Sequence, residues 1–265
     1  MIEATLPQAS LLKKIIEAVK ELVDEANFDF SETGIRLQAM DKSHVALSFL
    51  HLRDEGFSDY RCDRAQTLGI GLGSLSKILK CAANDDQVQI KASDSAETLE
   101  LAFESSSKDR VSEFKLKLMD IDADSVDVPD MDYQATVSMS SQEFARIVRD
   151  LLSIGDTVSI DATKQGVRFS ASGDDGKGSI LLKHQKTVDD DKSTPTNTIV
   201  QINEPVSHSL ALKYLSNFAK AAPLAERVTI NLIEEAPVMF EFKISDIGHI
   251  RFYLAPQIDD DMMDN

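Results

Sequence analysis

Apolar residues recur at three- and four-residue spacing in four segments of the chain, and this period predicts four amphipathic helices. The segments are residues 10–21, 72–81, 141–151 and 209–220. In the first segment one face is apolar, with Leu12, Ile15, Ile16 and Val19, while its lysines lie off that face. Each helix therefore has one side suited to a protein core and one side suited to water.

Between the helices the apolar positions alternate with polar ones, which predicts short strands with one buried face. Examples are Ile35, Leu37 and Ala39 in the first half of the chain. Turn signals such as Glu32-Thr-Gly and Lys164-Gln-Gly separate the strands. Short strands together with two helices in each half predict an α+β fold, in which helices pack on antiparallel sheets.

The chain contains an internal duplication. Residues 12–16 and 34–37 align with residues 144–148 and 166–169 at an offset of 132, whereas residues 72–80 align with 212–220 at an offset of 140. The larger offset predicts an insertion after Phe169, within the polar stretch 173–197. We therefore expect two similar domains, with these boundaries: residues 1–118, a connecting linker at 119–133, residues 134–258, and an acidic tail at 259–265.

The charge of the four predicted helices is opposite to that of the rest of the chain. The protein has a formal net charge of −17, but these segments carry nine cations against four acids and sum to +5, which leaves −22 elsewhere. A strongly acidic protein repels nucleic acid unless its cations are gathered on one surface. Solvated helix faces also carry lysines, so the repetition across four helices, rather than any one of them, favours an anionic partner.

Composition and motifs exclude several classes of protein. Only Cys62 and Cys81 are present, which is too few for a disulfide framework and is typical of a reducing intracellular setting. We expect neither a membrane span nor a signal peptide. The glycine-rich stretch 69–73 lacks the lysine of a phosphate-binding loop, and the five histidines show no metal-ligand spacing. We expect no enzyme activity, metal or cofactor.

Two alternating stretches, residues 109–117 and 177–183, are predicted strands at the edges of sheets. Unprotected edges can pair with another chain. With one such edge in each half, pairing between copies would be head to tail and would close into a ring where the rotation allows. Edges capped by loops are the alternative.

Six blocks of sequence are distinctive and spread from end to end of the chain, at residues 37–45, 60–64, 75–82, 143–147, 166–173 and 253–256. Together they resemble the proliferating cell nuclear antigen family, the eukaryotic DNA sliding clamp, and its fungal type in particular. The resemblance implies a homotrimeric ring in the nucleus, with sheets outside and basic helices around double-stranded DNA. It also implies that DNA polymerases, the clamp loader and PIP-box proteins bind this processivity factor during replication and repair, including translesion synthesis.

The resemblance also implies site residues. DNA contacts would come from cations, which are Lys13, Lys14, Lys20, Arg61, Arg64, Lys77, Lys80, Arg146, Arg149, Lys213 and Lys220. A partner peptide would bind an apolar pocket beneath the linker, formed by Met40, His44, Val45, Leu47, Val126, Val128, Pro129, Tyr133, Pro237, Tyr253, Leu254, Ala255, Pro256 and Ile258. Val126 replaces the leucine of animal members.

Subunit contacts and one modification site follow from the same resemblance. The expected subunit contacts are Cys81, Arg110, Val111, Phe114, Leu116, Leu151, Ile154, Lys177, Ile180 and Leu182. Lys164 matches the site that receives ubiquitin and related proteins. Two alternatives stay open: a subunit of a related clamp built from different chains, and an acidic scaffold that binds proteins without contacting DNA.

Overall fold

The computed structural model describes residues 1–94, 97–122, 126, 131–184, 197–234 and 236–257. Four α-helices lie at the predicted positions: α1 (Ala9–Val19), α2 (Leu72–Leu79), α3 (Ser141–Leu152) and α4 (Leu212–Phe218). The prediction was wrong at both ends of the fourth segment. Residues 209–211 pair with residues 157–159 as a strand, and Lys220 lies in a 3₁₀ turn, Ala219–Leu224, that contains Pro223.

The strands confirm the α+β class and the duplication. The first half contains β1 (Ile2–Leu6), β2 (Glu25–Ser31), β3 (Gly34–Met40), β4 (Ala46–Arg53), β5 (Asp59–Cys62), β6 (Gln66–Gly71), β7 (Gln87–Ala92), β8 (Thr98–Glu104) and β9 (Val111–Lys117). The second half contains β10 (Ala135–Ser140), β11 (Thr157–Thr163), β12 (Gly166–Gly173), β13 (Gly176–Lys183), β14 (Ile199–Ile202), β15 (Val206–Ala211), β16 (Arg227–Leu232), β17 (Val238–Ile244) and β18 (Gly248–Leu254). In the described residues each half runs strand, helix, five strands, helix, three strands.

The chain forms two compact units. Unit 1 contains Met1–Asp127 and Lys243–Ile250, and unit 2 contains Val128–Phe242 with the residues from Arg251 onward. Unit 1 has an antiparallel sheet in the order β5-β1-β7-β8-β9 and a run of strands in the order β4-β3-β2-β6. Helices α1 and α2 pack on each other, and Leu12, Phe28 and Leu101 meet in the core of the unit. The stripe of α1 is thus buried as its period predicts.

Unit 2 repeats this arrangement. Its sheet runs β13-β12-β11-β15, and a second run of strands has the order β14-β10-β16-β17. Helices α3 and α4 pack on each other over an aromatic core. The ring of Phe218 stacks on Phe252 with centroids 4.5 Å apart, and Phe144 contacts Phe240 at 5.7 Å. Offset and tilted ring contacts of this kind add to the stabilisation from burial alone.

The same glycine closes the same turn in each unit. Gly34 begins β3 with φ +123°, and Gly166 begins β12 with φ +140°. A Cβ at either position would lie about 2 Å from a carbonyl oxygen of the next strand, at 2.0 Å from Leu52 O and 2.1 Å from Leu182 O. Only glycine fits both the backbone angle and the close approach.

The insertion in the second half is shorter than the predicted stretch. Residues 176–183, inside that stretch, form β13 and pair with β12 in regular register. Ile199 follows Lys183 by sixteen positions, whereas Asp59 follows Arg53, its counterpart in the first half, by six. The additional residues therefore come after β13, in the connection 184–198, and residues 185–196 of this connection lie outside the described residues.

One edge of each unit is covered by the chain that follows its last strand. Met119 N donates to Gly69 O at 3.0 Å along β6, and Gln257 N donates to Ser209 O at 2.8 Å along β15. Strands β9 and β13 stand at the ends of their sheets, as the alternating pattern predicts. An end strand presents a row of backbone groups that a further strand can bind.

Candidate functional site

Helices α1 and α2 present a lysine-rich surface around one carboxylate. Ser76 Oγ donates to Glu17 Oε1 at 3.2 Å, which joins the two helices, and Lys20 Nζ lies 2.8 Å from Glu17 Oε2. The hydrogen bond from Lys20 is the main cause that lowers the pKa of Glu17. Lys14, Lys77 and Lys80 are exposed and form no ion pair within the described residues. This surface therefore keeps an excess of positive charge.

Lys13 differs from its neighbour Lys14. Its Nζ donates to Ala82 O at 2.6 Å and to Asn84 Oδ1 at 3.2 Å, and the side chain is only partly exposed. No pattern in the sequence indicates these hydrogen bonds, because the two partners lie about 70 positions further along the chain. Two of the three donors of this ammonium group are thus used within the protein.

The cations of α3 lie close to acids on the same helix. Arg146 lies 3.6 Å from Glu143 and 4.0 Å from Asp150, and Arg149 lies 3.3 Å from Asp150. Both arginines remain largely exposed. Ion pairs between exposed side chains are weak, no more than about 1 kcal/mol each, so the guanidinium groups can exchange partners.

The two predicted cations of the fourth segment lie in different elements, one in α4 and one in the 3₁₀ turn that follows it. Lys213 is exposed in the first turn of α4, and its Nζ lies 4.9 Å from the ring centroid of Tyr214. Lys220 is exposed in the 3₁₀ turn that follows α4, and this turn packs on α3. The second unit thus carries its cations on α3, α4 and that turn.

The structure does not bring Arg61 together with the helix lysines. Arg61 lies opposite Glu3, and Glu3 lies opposite Lys91, so the three share one face of the sheet. The other face buries Ala4 and Ile90, and Ile90 reaches the core beside Leu12 of α1. Arg61 therefore lies on the sheet face opposite α1, where it forms a 2.6 Å ion pair with Asp63. Arg64 is exposed just after β5.

Edge strand β9 carries three of the residues predicted for subunit contact, and a fourth immediately precedes it. Val111 is 58 % exposed, Phe114 is half-buried with its ring 5.4 Å from Phe103, and Leu116 is buried. Arg110, just before the strand, is 56 % exposed and pairs with Asp86 at 3.1 Å. Val111 and Phe114 lie three positions apart and therefore on opposite faces of this end strand, so each face offers one apolar side chain to a partner.

Edge strand β13 packs against the C-terminal end of α3. A Cβ at Gly178 would lie 2.4 Å from Ile154 Cδ1 and 3.4 Å from Leu151 Cδ2, so the glycine permits this close approach. Ile180 and Leu182 are half-buried and Lys177 is exposed on the same strand. Leu152 was not among the predicted contact residues, but it lies off the buried stripe of α3 and is 38 % exposed. In unit 1, Cys81 is exposed just beyond α2.

The loop between β3 and β4 is held by Asp41. Its carboxylate is 7 % exposed and accepts hydrogen bonds from Val45 N and Ala46 N, both at 2.8 Å. His44 has a φ of +57°, Val45 is half-buried, and Leu47 pairs with Met40 across the turn. The beginning of the linker lies on this unit, because Val126 O accepts a hydrogen bond from Gln38 Nε2.

The remaining residues predicted for peptide binding belong to unit 2. Tyr133 Oη lies 3.8 Å from Met239 Sδ, Tyr253 is 7 % exposed and Leu254 is fully buried. Pro237 is exposed, and Ala255 and Pro256 are half-buried. Val128, Pro129 and Ile258 lie outside the described residues. Lys164 is exposed in the turn between β11 and β12.

No metal-binding group emerges from the described part of the chain. The rings of His51 and His249 lie 5.8 Å apart, although the sequence separates them widely. Across the described residues, no group of three or more His, Cys, Asp or Glu side chains is arranged to hold a metal ion. The helices described are also too short or too polar to cross a membrane.

The repeated fold and its basic helices are those of a DNA sliding clamp. The family model described as proliferating cell nuclear antigen, N-terminal domain, matches residues 1–127, and the model for the C-terminal domain matches residues 127–257. The chain therefore belongs to the proliferating cell nuclear antigen family. Clamps of this family are non-enzymatic scaffolds that act on DNA.

Proposed function

We propose that three copies of this chain form a ring that encircles duplex DNA and tethers DNA polymerases and other replication and repair proteins. The observation that carries the proposal is the pair of basic helices, present in both halves of a chain that belongs to the sliding-clamp family. The predicted cations of the four helix segments would contact phosphates and not base edges, whereas Arg61 lies on the sheet face opposite α1. Phosphate contacts supply position and affinity without sequence information, which suits a protein that moves along DNA.

The ring would form by head-to-tail pairing of β9 with β13 of another copy. Both are end strands, one in each unit, and both carry exposed or half-buried apolar residues. Such a heterologous contact uses two different surfaces and closes when the rotation between copies allows. The mass of the purified protein at moderate salt tests this step. A trimer is expected, and a protein that stays monomeric at micromolar concentration contradicts the homotrimer and favours a clamp of different chains.

DNA contact is tested by neutralising cations that have no ion pair among the described residues. We expect the variant Lys14→Gln/Lys77→Gln/Lys80→Gln to bind duplex DNA more weakly at low salt. The slope of log K against log salt should decrease by about 0.9 for each phosphate that the variant no longer neutralises. Lys91→Gln is the matched control, because Lys91 pairs with Glu3 at 2.8 Å on the polar face of a sheet. Equal slopes for both variants would favour a scaffold that does not contact DNA.

We assign partner-peptide binding to the residues that the resemblance implies, with Val45 as the most informative position. Asp41 fixes the backbone on both sides of Val45, so a substitution of its half-buried side chain changes the surface more than the fold. Val45→Asp should abolish binding of a PIP-box peptide and leave the subunit mass unchanged. Lys42→Gln, in the same loop, is the control and should bind normally. Normal peptide binding by Val45→Asp would contradict this assignment.

Finer features of the proposal follow from the family. We assign the clamp to the nucleus, and Lys164 to the attachment of ubiquitin-like proteins during translesion synthesis. The exposure of Lys164 in a turn supports access by a modifying enzyme. We also assign the chain to the fungal type of the family, and expect Val126 in place of leucine to alter peptide preference. Mass spectrometry of the protein from cells with damaged DNA tests the modification, and Lys164→Arg should remove it.

A further inference from the structure

The loop that follows α2, residues 82–86, caps the first turn of α1. Ala9 N donates to Asp86 O at 2.7 Å, and Ser10 N donates to Asn84 O at 3.0 Å. These are N–H groups of the first helical turn, which have no partner inside a helix. No side chain caps this helix at Gln8. The position of the 82–86 loop is therefore tied to the beginning of α1.

Asp86 ties the same loop to edge strand β9. Its carboxylate is 2 % exposed, and Oδ2 accepts from Ala83 N at 2.8 Å and from Arg110 Nη2 at 3.1 Å. Arg110 immediately precedes Val111, the first residue of β9. A buried carboxylate requires such donors, because removal of one leaves an unsatisfied charge. The shape of the loop and the position of Arg110 thus depend on each other.

Lys13 is the third connection. Its ammonium group donates to Ala82 O and Asn84 Oδ1, at 2.6 and 3.2 Å, so it holds the loop from the exposed side of α1. Lys14, the next residue, is exposed and makes no such contact within the described residues. The two adjacent lysines therefore differ in role although they are alike in sequence.

We propose that Lys13 is a positioning residue that holds the 82–86 loop and thereby keeps Arg110 and β9 in place to pair with a second copy of this chain. The proposal rests on the ring described above. It assigns Lys13 to subunit pairing, while Lys14, Lys77 and Lys80 remain available to phosphate. A cation on the DNA-facing helix would thus contribute to the strength of the subunit contact.

Self-association without DNA provides the first test. The subunit dissociation constant is measured by sedimentation for the wild type, Lys13→Met, Lys14→Met and Lys13→Arg. We expect Lys13→Met to raise the constant about tenfold, the effect of removing one charge-assisted hydrogen bond. Lys14→Met should change it less than about twofold, and Lys13→Arg should restore part of the affinity. Equal constants for the two methionine variants would overturn the proposal.

Amide hydrogen exchange separates this inference from the proposed function. Lys13→Met should exchange faster than Lys14→Met in residues 82–86 and at the beginning of β9, whether or not the protein associates. A monomeric wild type would contradict the ring and leave this measurement intact. Unchanged exchange in Lys13→Met would overturn the coupling. Should Lys13→Met fail to fold, Asn84→Ala removes one acceptor only, and unchanged exchange in that variant overturns the coupling equally.

Discussion

Alanine at the two turn glycines provides a quantitative test of why both halves adopt one fold. Gly34 and Gly166 have φ values of +123° and +140°, which residues other than glycine rarely adopt. A Cβ would lie 2.0 Å from Leu52 O and 2.1 Å from Leu182 O, well below the 3.0 Å that real Cβ atoms keep. The obstacle is backbone in both cases, so it cannot rotate aside.

Two costs add at each glycine. Holding a residue with a side chain at such an angle costs about 1–3 kcal/mol, and moving backbone to relieve the overlap costs about 1–3 kcal/mol more. We therefore expect Gly34→Ala and Gly166→Ala each to lower the free energy of unfolding by about 2–6 kcal/mol. This loss is large for a single substitution. Chemical denaturation followed by circular dichroism measures it, provided that the slope with denaturant stays unchanged.

Gly73→Ala is the matched control. Gly73 lies in α2, and a Cβ there meets nothing within 4 Å. Because alanine favours a helix over glycine by about 1 kcal/mol, this substitution should stabilise the protein. A loss below about 1 kcal/mol at either turn glycine would refute the steric explanation. A large loss of free energy of unfolding at only one of them would show that only that turn requires glycine.

Three further predictions concern single contacts. Tyr60→Phe should lower the free energy of unfolding by about 1–2 kcal/mol, because the one hydroxyl hydrogen is shared between the backbone carbonyls of Ser31 and Gly34. Burial raises the pKa of Tyr60, so the wild type alone should lose this stability as the pH rises above 10. Glu143→Gln should make DNA association more dependent on salt, by up to about 0.9 in slope per subunit, because it removes the nearer of the two acids beside Arg146. An unchanged slope would contradict this. The pKa of Glu17 is lowered in the folded protein, mainly by Lys20, so its ionised carboxylate stabilises the fold above pH 4.5 and this stabilisation is lost as the pH falls. In an acid titration, Lys20→Met should therefore lose less free energy of unfolding than the wild type.

The apolar period predicted the faces of the helices better than their ends. The stripe of α3 is buried as expected, from Phe144 to Leu151, because a period of 3.6 residues depends only on which side meets the core. The predicted beginning of α4 is three residues too early. Leu210 lies outside the helical stripe of Leu212, Leu215 and Phe218, and its pairing with Val158 places it in β15. Strand pairing is a long-range contact that a local pattern does not contain.

The candidate site was predicted by residue type and not by contact. Basic residues on the exposed faces of α1 to α3 could be read directly from the sequence. Their partners could not, because Lys13 meets Ala82 only after α1 and α2 have packed on each other. Arg61 was grouped with the helix lysines, and only the strand register places it beside Glu3 on the polar face of a sheet. Charge is local in sequence, whereas burial and pairing are properties of the fold.

The acids beside the arginines of α3 have a consequence for movement along DNA. Arg146 and Arg149 each lie within 4.0 Å of a carboxylate on their own helix. In the proposed ring, a guanidinium that leaves one phosphate returns to a neighbouring carboxylate before it reaches the next phosphate. Its energy therefore changes little between successive phosphates, because exposed pairs of either kind are worth no more than about 1 kcal/mol. The energy barriers between successive positions would therefore be small, so the clamp would diffuse along the duplex without a preferred position.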